Sequence, residues 1–388
     1  MKAIINGRFI LPDSHDEFWL RDKKALLFDD RIRLIRDMPA DGELPGVDEV
    51  IDAGGAYVAP GFINVHIHGC VGADTMDAKR QALDAICLFQ ASTGVTAVYP
   101  TTMTQSMEDI YLALDTVRQA MAEPMADGAR ILGVHLEGPF VNRERRGAQP
   151  LEFIRKPDFS LIKDYTDVIK LITIAPEELD GDYSFLEECR ENGIVVSFGH
   201  SKAGYDLVKM LIEKYGVNHI THLGNGMNPI MQRTPGLAGA ALDTDADCEI
   251  IADNVHLHIT VQRMIMRMKQ GRHIMLITDS FRGAGLGDGY SEIGGQLVDV
   301  HGPLALLRDG TIAGSVITMN RAVANFAINT AAPMAQIISY ATKVPAKNMG
   351  IYDERGSLAV GKRADIVIFD DNVNIKRTII GGESVYWD

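Results

Sequence analysis

The chain has 388 residues, 46% of them apolar and 23% charged, the mixture of an ordinary folded protein rather than a disordered tail or a fibre. Its formal charge of −14, from 38 basic and 52 acidic side chains, gives a polyanion no electrostatic driving force, which argues against nucleic acid as a partner. No stretch approaches the roughly 20 apolar residues that span a bilayer. Four scattered cysteines without a CxxC pair make neither a disulfide framework nor a structural zinc site. The first residues carry no apolar leader pattern, and together these features predict a cytoplasmic, reduced protein with no membrane partner.

Taken in chain order, residues 1–56 read as short strands in KAIINGRFI, KALLFDDRIRLIRD and DEVIDAGGAYVAP, with the alternation and Gly/Asp punctuation of antiparallel β structure. Residues 57–354 repeat a different unit of apolar run, polar loop and helix. The strands are GFINVHIHG, TAVYPTT, ILGVHLEG, IKLITIAP, IVVSFGHS, HITHLGN, CEIIADNVHL and HIMLITDS, short and rich in Val and Ile as strands buried on both faces are. Helical periodicity runs through AKRQALDAICLFQASTG, SMEDIYLALDTVRQAMA, SFLEECRENG and KAGYDLVKMLIEKYG. The tail, 355–388, returns to the β texture of the start. The prediction is an α/β chain: a (β/α)8 TIM barrel over 57–354, with a small discontinuous β-sandwich domain formed by both termini, 1–56 with 355–388. An open doubly wound sheet would want a GxGxxG turn after its first strand, and none is present.

Metal-competent side chains fall at the carboxyl ends of these strands: His66 and His68 on the first, Glu137 on the third, His200 on the fifth, His222 on the sixth, His256 on the seventh and Asp279 on the eighth. In a barrel those ends open onto one face. Imidazole and carboxylate are the ligands that zinc or ferrous iron accepts. Glu137, His200 and His222 supply a His₂Glu set. His66 and His68, two apart on a strand, point to one side and can hold a second ion or complete the first. Asp279 is the carboxylate available to take a proton from water. Each histidine taken singly is more often a packed core residue than a ligand; the metal argument rests on the joint pattern. His219, three before His222, is expected on the opposite side of its strand, His135 is second to the metal or simply packed, and His15, His258, His273 and His301 have no placement that demands a role. Nothing around Cys70 marks an activated thiolate.

APGFINVHIHG, HLEGPFVNRERRGA, SFGHSKA, THLGNGMNP, IADNVHLH, TDSFRGAG, GTIAGSVITMNRAV and GSLAVGKRADIVIFD, in that order and over nearly the whole length, resemble the N-acetylglucosamine-6-phosphate deacetylase family of the metal-dependent amidohydrolases. The resemblance implies primary metal ligands at Glu137, His200 and His222, an optional second ion on His66 and His68, and a catalytic aspartate at Asp279. It implies substrate contacts at Ala148, Asn225, Gly226, Arg233, His256 and the stretch Ile312, Ala313 and Gly314. The expected cofactor is a divalent metal, Zn2+ first and Fe2+ second, one or two per subunit. The expected partner is a small amino-sugar phosphate, and the expected assembly a homodimer or higher homo-oligomer in which a neighbouring subunit helps close the site.

The departures from the family pattern fall beside the substrate. Gln149 stands where a histidine is usual, Gly224 and Gly226 replace Phe and Ala, Asn254 replaces a glycine, and Ser280 an alanine. Gln149 can donate a hydrogen bond but cannot become a cation. The leading expectation is hydrolysis of the acetamide of an N-acetylated amino-sugar 6-phosphate, most simply N-acetylglucosamine 6-phosphate. The alternatives are a paralogue with another N-acyl or sugar-phosphate substrate and a catalytically silent sugar-phosphate binder. A cyclic-amide hydrolase is disfavoured because strand four carries Lys170 near its start and no lysine at its end, and a deaminase because of Glu137.

Overall fold

A computed structural model describes residues 1–388. Its centre is a curled parallel sheet of β1 (Phe62–Ile67), β2 (Val95–Pro100), β3 (Val134–Glu137), β4 (Ile169–Ile174), β5 (Val195–Phe198), β6 (His219–Ile220), β7 (Asp247–Ile251) and β8 (Ile274–Ile277). These are the eight apolar runs of the sequence. β3 to β8 pair in order, and β1 pairs with β2. Parallel bridges Thr101–His135 and Ile67–Ser280 carry the curl from β2 to β3 and from β8 back to β1. The Asp279 N–H donates to the His66 carbonyl at 3.0 Å across that last junction. The architecture is TIM-barrel-like.

Helices cover the sheet where the periodicity put them, at Arg80–Ser92, Met107–Ala122, Ser184–Glu191 and Tyr205–Tyr215. Met107–Ala122 shows why: Ser106 caps its first turn through the Asp109 N–H, and Ile110, Leu114 and Val117 form one buried stripe.

The chain ends make two further sheets. One orders Ile32–Asp37, Lys24–Phe28, Lys2–Ile5 and Glu49–Asp52; the other runs Glu383–Trp387, Ile375–Ile380, Ile366–Phe369, Tyr57–Pro60, Arg8–Pro12 and Phe18–Arg21. Ile4, Phe9, Leu26, Phe28, Val58 and Ile368 belong to one buried cluster shared by the two sheets. Tyr57–Pro60 pairs on one side with Arg8 and Phe9 and on the other with Ile366–Phe369, so the first and last parts of the chain meet in one sheet immediately before β1 starts.

Two features are additions to the sequence reading. Phe18–Arg21 is an edge strand with three of its four side chains exposed, which leaves little apolar alternation to detect. Gly289–Ile293, Gln296–His301 and Leu304–Leu307 form a three-stranded antiparallel insert after β8, turning at Gly294–Gly295. No helix is long and apolar enough to cross a membrane.

Candidate metal centre

At the C-terminal end of the parallel sheet, Glu137 sits between two pairs of imidazoles. Its Oε1 lies 3.2 Å from His200 Nε2 and 3.0 Å from His222 Nε2, and those two nitrogens are 3.0 Å apart. Its Oε2 lies 3.2 Å from His68 Nε2 and 3.6 Å from His66 Nε2. Asp279 Oδ1 closes that second group at 3.3 Å from both nitrogens. One carboxylate thus faces two donor sets, one with each oxygen. All six side chains are buried.

Local backbone explains the aim. His66 and His68 share a side because they are two apart on an extended segment. His200, His222 and Asp279 each lie two residues beyond a strand, with φ of 45°, 28° and 47°. Such left-handed backbone costs a non-glycine residue about 1–3 kcal/mol and persists when its surroundings hold it. Here the Asn142, Asn225 and Ser315 N–H groups bond the carbonyls of His200, His222 and Asp279 at 2.9, 3.0 and 2.8 Å. His200 Nδ1 donates to the Arg145 carbonyl at 2.8 Å, which turns its Nε2 toward Glu137. Gly226, with φ 58°, passes so close that a Cβ would stand 2.8 Å from His200 Nδ1, so the alanine of the related pattern would have to push the His200 ring aside here.

The charges are unbalanced without a cation. The basic groups that touch Glu137, Asp279 and Glu249 are imidazoles, with no lysine or arginine among them. Burial alone would raise the Glu137 carboxyl, but the charges of His66 and His200 outweigh it and hold it well below the usual carboxylate range. Burial would lower His66, yet Asp279, Glu249 and Glu137 together hold it well above the ordinary histidine value. His68, under the same opposition of burial against Asp279 and Glu137, is pushed up to about 9. Protons on imidazoles are doing what a divalent ion would do. His66 Nε2 is buried without a hydrogen bond, and imidazole nitrogen with carboxylate oxygen is a zinc or iron donor set. The residues fit a divalent metal.

A cavity of about 390 Å³ opens over the cluster. Ala148, Gln149, Asn225, Gly226, His256, Ile312 and Gly314 line it together with His68, Glu137, His200, His222 and Asp279. Gln149 is locked at both ends of its amide: Oε1 accepts from the Thr104 N–H at 2.7 Å and Nε2 donates to Glu137 Oε2 at 3.1 Å. Ala313 is buried behind the wall against Phe281 and Ile293. Arg233 is not brought to this cavity; it is exposed and lines a separate one with Lys202 and Asn228. Burial pushes the Cys70 thiol up, away from thiolate chemistry.

The sequence reading missed Glu249 and Asp253 and misplaced His219. Glu249 is fully buried in β7, bonded to His66 Nδ1 at 2.9 Å, to His219 Nε2 at 3.0 Å and to the His222 N–H at 3.0 Å. A glutamate inside the apolar run CEII was the available signal, because a buried charge must be paired. His219 turns inward rather than to the opposite side, since His222 lies past the strand on left-handed backbone where alternation no longer applies. Asp253 Oδ2 accepts from His256 Nδ1 at 2.7 Å and fixes that ring at the cavity wall. Asn254, at φ 67°, accepts from Gln262 and Asn329 at 3.0 and 2.6 Å, an anchor that glycine would lack.

Residues 57–385 match the amidohydrolase family. An N-acetylglucosamine-6-phosphate deacetylase of Bacillus subtilis is 40% identical over 338 residues, covering 85% of each chain. An N-acetylgalactosamine-6-phosphate deacetylase of Escherichia coli is 30% identical over 388 residues, covering 99% of each. The solved N-acetyl-D-glucosamine-6-phosphate deacetylase mutant of Mycobacterium smegmatis, in complex with N-acetyl-D-glucosamine-6-phosphate, superposes with a TM-score of 0.88 at 27% identity over 99% of each chain. With its donor clusters at the strand ends and these matches along its length, the chain belongs to the amidohydrolase family, among the N-acetylglucosamine-6-phosphate deacetylases.

Proposed function

We propose that the chain hydrolyses the acetamide of N-acetylglucosamine 6-phosphate, consuming water and releasing acetate and glucosamine 6-phosphate. The observation that carries this reading is Glu137 shared between two imidazole pairs, with Asp279 beside it, on the floor of a sugar-sized cavity. Glu137, His200 and His222 would hold a first divalent ion, and His66, His68, Glu137 and Asp279 a second; zinc is the expected metal and ferrous iron the alternative. When bound, such an ion supplies Lewis acidity to the amide oxygen and to water.

The chain's own residues supply the rest. Asp279, ionised because His66 and His68 outweigh its burial, accepts a proton from the attacking water and returns it to the leaving nitrogen, which must be protonated to depart. Gln149 Nε2 is a fixed donor beside Glu137, suited to the oxygen that gains charge. His256 keeps its proton more tightly than an ordinary histidine, since Asp253 outweighs the cost of burial, and with Nδ1 held by Asp253 it presents Nε2 to the phosphate. Asn225, Gly226, Ala148, Ile312 and Gly314 shape the sugar site.

This reading keeps a small β-sandwich from both termini and a complete (β/α)8 barrel between them, with the first boundary moved from 56/57 to 60/61 because Tyr57–Pro60 is a strand of the terminal sheet. It also keeps a cytoplasmic location, in agreement with four free, buried cysteines. Arg233 shares an exposed arm with Ile230 and Met231, and the homodimer reading gives that arm a neighbouring subunit's site to close.

The galactosamine configuration is a second reading, suggested by the E. coli relative named for that sugar. Acetate release from glucosamine, galactosamine and mannosamine N-acetyl 6-phosphates, each with its unphosphorylated sugar, tests both. Comparable rates with and without phosphate would overturn the sugar-phosphate assignment.

A further inference from the structure

Beneath the two donor sets, a line of polar side chains, buried at Glu249 and His219 and half-buried at Asn348, runs through the sheet interior toward its opposite end. Asp247, the first residue of β7, accepts from Asn348 Nδ2 at 2.9 Å; that amide nitrogen also faces the Asn218 carbonyl at 3.3 Å. Asn348 Oδ1 lies 2.7 Å from His219 Nδ1, His219 Nε2 lies 3.0 Å from Glu249 Oε1, and Glu249 Oε2 meets both His66 Nδ1 and the His222 N–H.

Donor and acceptor capacity gives this line a direction. The two acceptors Asp247 Oδ2 and Asn218 O require the amide nitrogen of Asn348 on their side, so its oxygen faces His219. That oxygen can only accept, so His219 carries a hydrogen on Nδ1. One further proton bridges His219 Nε2 and Glu249 Oε1. Glu249 Oε2 is then left to accept, from His66 Nδ1–H and from His222 N–H together. With its Nδ1 hydrogen held by Glu249, His66 has Nε2, the buried nitrogen without a hydrogen bond that faces Glu137 and Asp279, as the position to exchange a proton for a metal.

We infer that Glu249 is a positioning residue for both donor sets, orienting His66 through its side chain and His222 through its backbone, and that Asn348 and His219 fix the direction in which Glu249 does so. The inference rests on the reading of His66 and His68 as ligands of a second ion. It concerns residues that touch neither substrate nor ion, one of them on the helix Lys343–Asn348 beyond the sheet.

The test uses the full chain, Zn2+ titration by equilibrium dialysis with metal analysis, and thermal unfolding as the control for folding. Glu249→Leu removes the acceptor for both ligands and should weaken the second Zn2+ by about ten- to a hundredfold, the usual effect of losing such a partner. Glu249→Gln should rescue much of this, because its NH2 can donate to the bare Nε2 of a His219 held in the Nδ1–H form while its oxygen keeps the other two bonds. That rescue depends on Asn348. With Asn348→Leu, His219 is free to move its hydrogen to Nε2, where it opposes the amide NH2. The double variant Glu249→Gln with Asn348→Leu should therefore bind the second Zn2+ about tenfold or more weaker than the product of the two single effects.

Simple additivity in the folded double variant, or wild-type affinity for both ions in folded Glu249→Leu, overturns the inference. Should Glu249→Leu fail to fold, the comparison of Glu249→Gln with the double variant decides. A wild-type chain that takes one Zn2+ and loses none when His66 is replaced by alanine overturns the two-ion reading itself and the inference with it, an outcome distinct from additivity.

Discussion

The two ends of the parallel sheet carry cavities of opposite character. At the foot, a cavity of about 660 Å³ is bounded by Phe18, Trp19, Tyr340, Lys343 and His273, larger than the 390 Å³ over the C-terminal ends. Yet the foot's polar groups satisfy one another: His273 Nδ1 bonds Asp247 at 2.9 Å, Lys343 Nζ the Asp16 carbonyl at 2.7 Å, and Tyr340 OH the Gly271 carbonyl at 2.8 Å. At the C-terminal ends, a buried imidazole nitrogen has no hydrogen bond and three metal-competent residues sit on left-handed backbone. Volume therefore does not identify the site. Unspent donor capacity does, whereas left-handed backbone does not, since His273 at the foot also has φ of 57°.

Removing the residue that both donor sets share should break this contrast most completely. Glu137→Ala is expected to lose both ions and abolish acetate release while circular dichroism stays that of the folded chain, because the ligands stand at strand ends and not in the packed layers. Metal analysis showing wild-type content would sink the assignment.

Asp279→Asn should keep the first ion on Glu137, His200 and His222 but lower turnover by about 10²-fold or more, the scale of a general acid–base group. Near-normal kcat would remove Asp279 from proton transfer.

His256→Ala should raise KM for the phosphorylated sugar about ten- to a hundredfold, since a hydrogen bond to a charged partner contributes roughly 1.5–3 kcal/mol. Hydrolysis of the unphosphorylated sugar should barely change; equal losses on both would mean that His256 supports the fold.

A pH series on metal-free protein sharpens the electrostatic half of the comparison. His68 is raised from 6.5 to about 9 in the folded chain. A raised folded value stabilises fully below the unfolded value, and that stabilisation is lost as pH rises through the folded one. The Tm of metal-free protein should therefore fall between pH 6.5 and about 9, and saturating Zn2+ should remove the fall by taking the proton's place. A flat Tm across that window without metal would contradict the charge balance described for the site.

The smallest effect belongs to the foot. Asp245→Ala removes an exposed carboxylate 3.6 Å from His273, and it should leave metal content and turnover unchanged and Tm within about 2 °C. A clear loss of metal in this variant would show that the two ends are not as separate as the cavity contents suggest.

Much of the site was legible in the chain. Short Val- and Ile-rich runs marked all eight central strands, and His66, His68, Glu137, His200, His222 and Asp279 stood at or just past their ends. The unread parts share a cause. Glu249 sits mid-strand, where an apolar run hides a single acid, and its partners His66 and His219 lie 183 and 30 residues away. His219 was turned the wrong way because strand alternation was extended past the strand to His222. Arg233 is near His222 in sequence, but it is exposed and does not line the cavity over the donor sets.

By itself the sequence determined which residue types are available and on which strand each is carried, because strand and helix periodicity arise from local backbone sterics and side-chain burial. Only the tertiary structure decided that Glu137 gives one oxygen to each imidazole pair, that Gln149 is held by Thr104, and that Glu249 joins the two donor sets from below. Those choices are distances of about 3 Å between atoms on different strands. They are set by how far the sheet curls and by a few residues forced into left-handed backbone, neither of which leaves a period in the chain.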